Sequence, residues 1–506
     1  MRRISDLTLI VRAQQHGERT AIVAPEGTFS YRQLLDASAQ VAACLLNSAD
    51  DLWEARVAFM VPPGFDYVAT QWGIWRAGGV AVPLGVTHPR PELEYVIDDA
   101  QAAIVVAHPQ FEAVLRPLVE TRGRRLVSTL RTSGTAQRPL PPIDSHRRAM
   151  MLYTSGTTSQ PKGVVITHRN IEAQVASLHA AWEWTPDDYL LHALPLHHIH
   201  GIVVALTGAL WAGATCELLP RFDAEQVWER IVKGNVTLFM GVPTMYAKLI
   251  AAWEAAPPER QREMSAACAK LRLMVSGSAA LPVSVLEKWK HISGHVLLER
   301  YGMTETGMVL ANPLHGPRLP GCVGTPLPGV EVRLVDDDGN EVESGTPGEV
   351  CVRGAGVFLE YWHRPDATAQ AFRDGWFCTG DVAVWENGAY RLLGRKSVDI
   401  IKTGGYKVSA LEVEEVLREH PDIVECAVVG IPDAAWGERV GAALVLKTGR
   451  HLTLDSLRAW AKERLAAYKV PTRILILDTL PRNAMGKVIK LEVARLFSSN
   501  DAAISC

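Results

Sequence analysis

A chain of 506 residues, 48% hydrophobic and 21% charged with a formal net charge of −3, has the composition of a multi-domain globular protein. The charge balance argues against a nucleic-acid-binding surface, and no apolar run reaches the length of a membrane span. Eight scattered cysteines without a CxxC pair fit a reducing compartment and argue against a zinc site; the cytoplasm is the expected location.

In chain order, Arg2, Arg3 and Arg12 are followed closely by strand-like Thr20–Ala24, which leaves little room for a transit or signal peptide. Ser30 and Gln33 predict a capping box before an apolar helix over 34–46. A buried strand is expected over 56–61, a helix over 65–77 ended by Gly78 and Gly79, and a strand over 80–82. This alternation predicts α/β layers with largely parallel sheets. The polar, basic stretch 122–148 reads as an excursion between elements. A strand is expected over 271–275. Beyond Gly394-Arg395-Lys396-Ser397 the texture changes, with helices expected over 411–418 and 454–465 and strands over 427–429 and 443–446. About 110 residues of this kind make a small α+β domain.

The densest group of chemistry-bearing residues is Thr154-Ser155-Gly156-Thr157-Thr158-Ser159-Gln160-Pro161-Lys162-Gly163, between apolar runs at 149–153 and 164–166. That pattern predicts strand, polar loop and strand in a hairpin-like arrangement. Hydroxyls, backbone N–H groups and one lysine suit a polyphosphate; a polar surface turn is the other reading of the composition. It is not a GxxxxGK[ST] loop, because Lys162 precedes Gly163 and Pro161 blocks a helix there.

The residue order of this loop resembles the nucleotide loop of the adenylate-forming superfamily of acyl-CoA synthetases, luciferases and peptide-synthetase adenylation domains. Ser159 stands where that family usually has Gly. Five further segments resemble the family in the same order. In Leu194-Pro195-Leu196-His197-His198-Ile199-His200-Gly201, the family carries an aromatic residue or His at the place of His198, beside the carboxylate substrate. Three close histidines invite a metal reading, but their spacing matches no usual ligand set and no acidic cluster accompanies them. A structural histidine pair is a further reading. In Ser276-Gly277-Ser278-Ala279-Ala280-Leu281-Pro282, the resemblance implies that Ser276, Gly277, Ser278 and Ala279 line the adenine pocket, although small residues after a strand also make a close-packed turn. In Arg300-Tyr301-Gly302-Met303-Thr304-Glu305 it implies that Tyr301 packs on adenine, Thr304 binds phosphate and Glu305 helps hold Mg²⁺. Asp381 of Thr379-Gly380-Asp381 would meet the ribose hydroxyls, and so would Arg395. Lys402, Gly404 and Gly405, in Lys402-Thr403-Gly404-Gly405-Tyr406, would line the path of the coenzyme A thiol arm. Lys487, closing Pro481-Arg482-Asn483-Ala484-Met485-Gly486-Lys487, would bridge the carboxylate and the α-phosphate.

The resemblance therefore implies an α/β fold. A large N-terminal domain of layered α/β subdomains (1–395) would carry the ATP and carboxylate site. A small mobile α+β C-terminal domain (396–506) would hinge near Ser397, where the family commonly has Asp or Lys. ATP, Mg²⁺ and coenzyme A are implied, with acyl-adenylate formed first and acyl-CoA second. Lys487, Thr304, Glu305 and His198 are the implied catalytic groups. The segments 194–201, 274–282, 298–306 and 397–412 resemble the malonyl-CoA and methylmalonyl-CoA synthetase branch. A small dicarboxylic acid brings a second carboxylate, whose burial demands a cation. The branch implicates Arg300 there, with His198, His200 and Met303 in the acyl wall; a structural ion pair is the other reading of Arg300. A medium-chain or aromatic acyl-CoA synthetase is the alternative function. No nucleic-acid or membrane partner is expected. A lysine acetylase and deacetylase acting on Lys487 are implied as regulators, since acetylation removes the charge.

Overall fold

Short apolar runs build two large sheets. In one, the strands Arg56–Met60, Val80–Pro83 and Ile104–Ala107 run parallel and are buried along almost their whole length, as a sheet covered on both faces requires. Its order is Glu360–Tyr361, Lys162–Thr167, Arg148–Thr154, Val80–Pro83, Arg56–Met60, Ile104–Ala107, Arg125–Ser128. The other sheet is nine-stranded. Its parallel centre holds Leu298–Met303, Leu273–Ser276, Leu238–Gly241, Tyr189–His192, Thr215–Leu218 and Thr20–Ala24, with antiparallel strands at both edges. This computed structural model describes residues 7–129, 139–154, 161–433, 436–482 and 488–504, with 498–504 as backbone only.

The helix Tyr31–Leu46 begins three residues before the apolar run that predicted it, because Ser30 is its N-cap. Gln33 N–H donates to Ser30 Oγ (3.3 Å) and Ser30 N–H to Gln33 Oε1 (2.8 Å), satisfying donors that the first turn leaves open. The helix Phe65–Arg76 buries Trp72 and Trp75, and Trp75 Nε1 donates to the Ala149 carbonyl (2.7 Å).

Two segments differ from the sequence reading. Thr8–His16 forms a helix that buries Leu9, Ile10 and Ala13. The stretch 122–148 is not all excursion: Arg125–Ser128 is an edge strand parallel to Ile104–Ala107. Its basic flank is matched by a distant helix, with Arg122 Nε 2.6 Å from Asp98 and Arg122 Nη2 2.7 Å from Glu94. Four residues show no periodicity, and the charge partners of the flanking Arg122 lie outside the local window.

The chain forms two compact units, 1–332 with 352–377, and 333–351 with 378–506. Contact density thus groups 378–395 with the C-terminal residues. The second unit is α+β. Its antiparallel sheet runs Tyr406–Ser409, Ile400–Thr403, Gly437–Leu446, Ile423–Asp433, with Arg473–Ile476 parallel beside Gly437–Leu446. The helices Ala410–Arg418 and Leu454–Lys462 bury Val413, Leu417, Leu457 and Ala461 in its core.

Candidate active site

The hairpin expected around the polar loop is present. Arg148–Thr154 runs antiparallel to Lys162–Thr167 and Thr154 faces Lys162 at its end. Ser155, Gly156, Thr157, Thr158 and Ser159 lie outside the described residues. The hairpin is held from the side: Tyr95 Oη donates to the Pro161 carbonyl (2.7 Å) and Tyr153 Oη to Asp99 Oδ2 (2.8 Å). Lys162 Nζ stands 4.9 Å from the centre of the Tyr361 ring, a cation over an aromatic face. The Tyr361 hydroxyl donates to Glu305 Oε1 (2.8 Å).

Thr304 and Glu305 occupy the turn between the antiparallel strands Leu298–Met303 and Gly307–Ala311. Glu305 is buried, and its carbonyl accepts the Phe358 N–H (2.7 Å). Leu273–Ser276 runs parallel to Leu298–Met303. Ser276, Gly277, Ser278 and Ala279 therefore emerge beside Arg300, Tyr301 and Met303 at the carboxyl ends of parallel strands, where ligands bind in open α/β sheets. Ser278 holds φ +68°, a left-handed conformation that costs a serine energy. Its Oγ lies 3.2 Å from His200 Nδ1. Ser276 Oγ is buried and has no hydrogen-bond partner among the described residues.

His200 starts the wide-turned helix His200–Thr207. Burial, then the Arg300 charge, lowers its pKa well below the ordinary histidine value, so it is neutral at pH 7. The His198 and His197 rings are tilted against each other with centres 4.1 Å apart, and His197 meets His88 edge-on at 4.8 Å. Arg300 is 2% exposed. Its guanidinium lies on the backbone of Gly277, where an added Cβ would sit 2.5 Å from Arg300 Cζ; only glycine permits that approach. The structural ion pair that was the other reading of Arg300 is not found among the described residues, and Nε and Nη2 have no hydrogen-bond partner. Burial pulls its pKa down to about 9, with the Tyr246 phenol acting the other way, so it stays a cation at neutral pH. A buried unpaired cation is costly, and an anionic ligand would relieve that cost.

In the second unit, Asp381 faces Arg395 across paired strands, with Arg395 Nε 2.8 Å from Asp381 Oδ1 and Nη2 donating to the Thr379 carbonyl (3.0 Å). Gly404 and Gly405 form the two-residue turn between Ile400–Thr403 and Tyr406–Ser409, both left-handed at φ +54° and +84°, as such hairpins favour. Gly404 N–H donates to the Trp436 carbonyl (2.9 Å). Lys402 N–H donates to Glu438 Oε2 (2.6 Å). Lys487 lies outside the described residues.

Three residues beyond Lys487, Lys490 Nζ lies 2.6 Å from Asp399 and 2.7 Å from Glu414, and its side chain is 12% exposed. Burial works against its charge, yet Glu414 and Asp399 hold its pKa above the ordinary lysine value. That contribution to stability is complete at neutral pH and is lost only as pH rises past the raised pKa. Lys490→Met removes the buried cation that Asp399 and Glu414 share and leaves Glu414 only its pair with Arg418 Nη2 (3.1 Å), at a cost of about 3 kcal/mol. The second unit should then melt about 6–12 °C lower by calorimetry at pH 7; an unchanged transition would show the triad to be energetically idle.

The AMP-binding enzyme family matches residues 9–362, and the AMP-binding enzyme C-terminal domain matches 412–487. The chain belongs to the AMP-binding enzyme family. The mitochondrial malonate–CoA ligase ACSF3 of Homo sapiens is 46% identical over 528 residues, covering 97% of this chain and 92% of its own. A malonate–CoA ligase of Arabidopsis thaliana is 40% identical, covering 96% and 87%. The crystal structure of ATP-bound MatB from Rhodopseudomonas palustris matches with TM-score 0.89 and 34% identity, covering 97% of this chain and 99% of its own.

In this AMP-binding enzyme the first unit brings together Thr154, Lys162 and Glu305 on one side, and Ser278, His200 and Arg300 on the other. Three supporting residues escaped the sequence reading. Tyr361 lies far along the chain from both residues it touches. Glu299 accepts the Leu281 N–H (3.2 Å) and anchors the turn after Ser276. His192 accepts the Leu194 N–H on Nδ1 (3.1 Å), so its other nitrogen carries the proton toward the Gly201 carbonyl (2.9 Å) and braces the His198 loop. The only local signal for these was a polar residue at a strand end.

Proposed function

We propose that this AMP-binding enzyme joins malonate to coenzyme A. A malonate oxygen attacks the α-phosphorus of ATP, the bond to the β-phosphate breaks, and pyrophosphate leaves. The coenzyme A sulfur then attacks the acyl carbon, the bond to AMP breaks, and malonyl-CoA is released. The observation that carries this reading is the buried Arg300 guanidinium on Gly277, a cation with no carboxylate partner among the described residues. It suits the carboxylate of malonate that does not react. The relatives named malonate–CoA ligase support the same substrate.

The residues divide the work by chemistry. Lys162 and Thr304, with the loop of Thr154, Ser155, Gly156, Thr157 and Thr158, bind the phosphates. Tyr301, Ser276, Gly277, Ser278 and Ala279 receive adenine. His198, His200 and Met303 wall the acyl site. Neutral His200 offers a hydrogen bond without a second charge. Asp381 and Arg395 meet the ribose. Lys402, Gly404 and Gly405 line the thiol path, and Lys487 stabilises charge on the α-phosphate. Among the described residues no group of three or more His, Cys, Asp or Glu would hold a metal ion by protein ligands alone. One buried carboxylate, Glu305, fits Mg²⁺, which is commonly bound by one or two carboxylates together with substrate phosphates. Mg²⁺ would supply charge neutralisation there. A hinge at Ser397, a cytoplasmic location and acetylation of Lys487 complete the reading.

The test is thioester formation with malonate, methylmalonate, acetate and octanoate. Malonate should exceed acetate and octanoate by at least about 100-fold in kcat/KM, since an unfilled cation site forfeits several kcal/mol. Faster turnover of octanoate would replace this reading with that of a medium-chain enzyme.

A further inference from the structure

We propose that Tyr361 is a positioning residue that holds the phosphate-binding ammonium of Lys162 and the cation-binding carboxylate of Glu305 apart and in register. This rests on the roles given to Lys162 and Glu305 above. Three segments distant in sequence converge on one ring: Lys162 Nζ lies over its face at 4.9 Å and Glu305 Oε1 accepts its hydroxyl at 2.8 Å. The ring is itself fixed. Tyr361 pairs with Val164 on the neighbouring strand, its N–H donates to Thr368 Oγ1 (3.0 Å), and Phe358 packs on it with ring centres 4.7 Å apart.

The physical need for such a residue is plain. A half-buried ammonium and a buried carboxylate that touch the same ring attract each other. Paired directly, each would neutralise the other, and neither would be available to a phosphate or a divalent cation. The tyrosine satisfies both without letting them meet. Its π face takes the cation and its O–H takes the anion, at opposite parts of one rigid group. The hydroxyl also sets the rotation of the Glu305 carboxylate, while the face sets the height of the Lys162 ammonium.

The two contacts are separable. Tyr361→Phe keeps the face and removes the hydroxyl; Tyr361→Leu removes both. Binding of ATP to the full chain is measured by calorimetry with and without Mg²⁺, alongside each variant's melting temperature. Tyr361→Phe should weaken MgATP about tenfold, the size of a lost hydrogen bond to a charged group, and leave metal-free ATP within about twofold of wild type. Tyr361→Leu should weaken metal-free ATP as well. A Tyr361→Phe protein with the wild-type ratio of MgATP to ATP affinity overturns the proposal. Glu305→Gln separates the two levels. If it shifts that ratio and Tyr361→Phe does not, the positioning role alone falls. If Glu305→Gln leaves the ratio unchanged, the reading of Glu305 as the cation group falls, and the role of Tyr361 falls with it.

Discussion

Arg300→Met should lose about 100- to 1,000-fold in kcat/KM for malonate while the protein becomes more resistant to heat. The activity loss corresponds to about 3–4 kcal/mol, the scale of removing one partner from a buried charge pair. The stability gain has the same origin. In the free enzyme the guanidinium is 2% exposed and its Nε and Nη2 have no hydrogen-bond partner among the described residues. Folding therefore strips its water and returns little, and a methionine of similar length removes that cost. ATP affinity should stay within about twofold, because the lost group serves the acid. The two readouts together decide the matter. If Arg300 were half of a structural ion pair, the variant would melt earlier, not later. Malonate itself should raise the melting temperature of the wild type and leave that of Arg300→Met unmoved, since a ligand stabilises only the state that binds it.

The second large effect is acid lability of the first unit between pH 6.5 and pH 5. Three histidines there, His168, His192 and His200, are buried in neutral form, and a fourth, His197, is partly buried. Burial lowers His168 to about 3 and His192 to about 4. Burial and the neighbouring rings lower His197 to about 2, and burial and Arg300 take His200 well below the ordinary value. Each folded pKa is depressed, so the unfolded chain binds a proton near pH 6.5 that the folded chain refuses. Stability is complete above that pH and falls as pH drops toward the folded values. Each group removes about 1.4 kcal/mol per pH unit in that window, so four at pH 5 remove about 8 kcal/mol. That is comparable with the whole stability of a typical domain. Urea unfolding at pH 7.5, 6.0 and 5.0 should show the midpoint collapsing. His168→Gln should flatten the slope by one proton's worth. A midpoint constant from pH 7.5 to 5.0 would mean that these imidazoles accept protons in the folded state.

What was legible in the chain was local. The capping box at Ser30 and Gln33 involves two side chains three residues apart, and it formed. The hairpin closing at Thr154 and Lys162 depends on two apolar runs and a Pro-containing polar loop. The Gly404-Gly405 turn needs two left-handed residues in succession, which glycine alone supplies cheaply. The edge strand Arg125–Ser128 was hidden because its four residues carry no usable period and the carbonyls that Arg125 meets, Cys44 and Leu45, sit on another element. The eleven-residue strand Ile423–Asp433 runs four residues beyond its expected centre, 427–429, at each end, because pairing with Gly437–Leu446 extends it.

The sequence by itself determined the family, the order of the chemistry-bearing segments and the elements that carry them, because motifs and periodicity act over a few residues. Only the tertiary structure decided how those segments serve one another. Arg300 showed its basic character from the start, but that it is buried on Gly277 with no ion pair among the described residues is a statement about distant neighbours. Tyr361 carried no motif at all, yet it stands against both Lys162 and Glu305. Burial, desolvation and the satisfaction of charge are properties of the packed interior, and no window along the chain contains them.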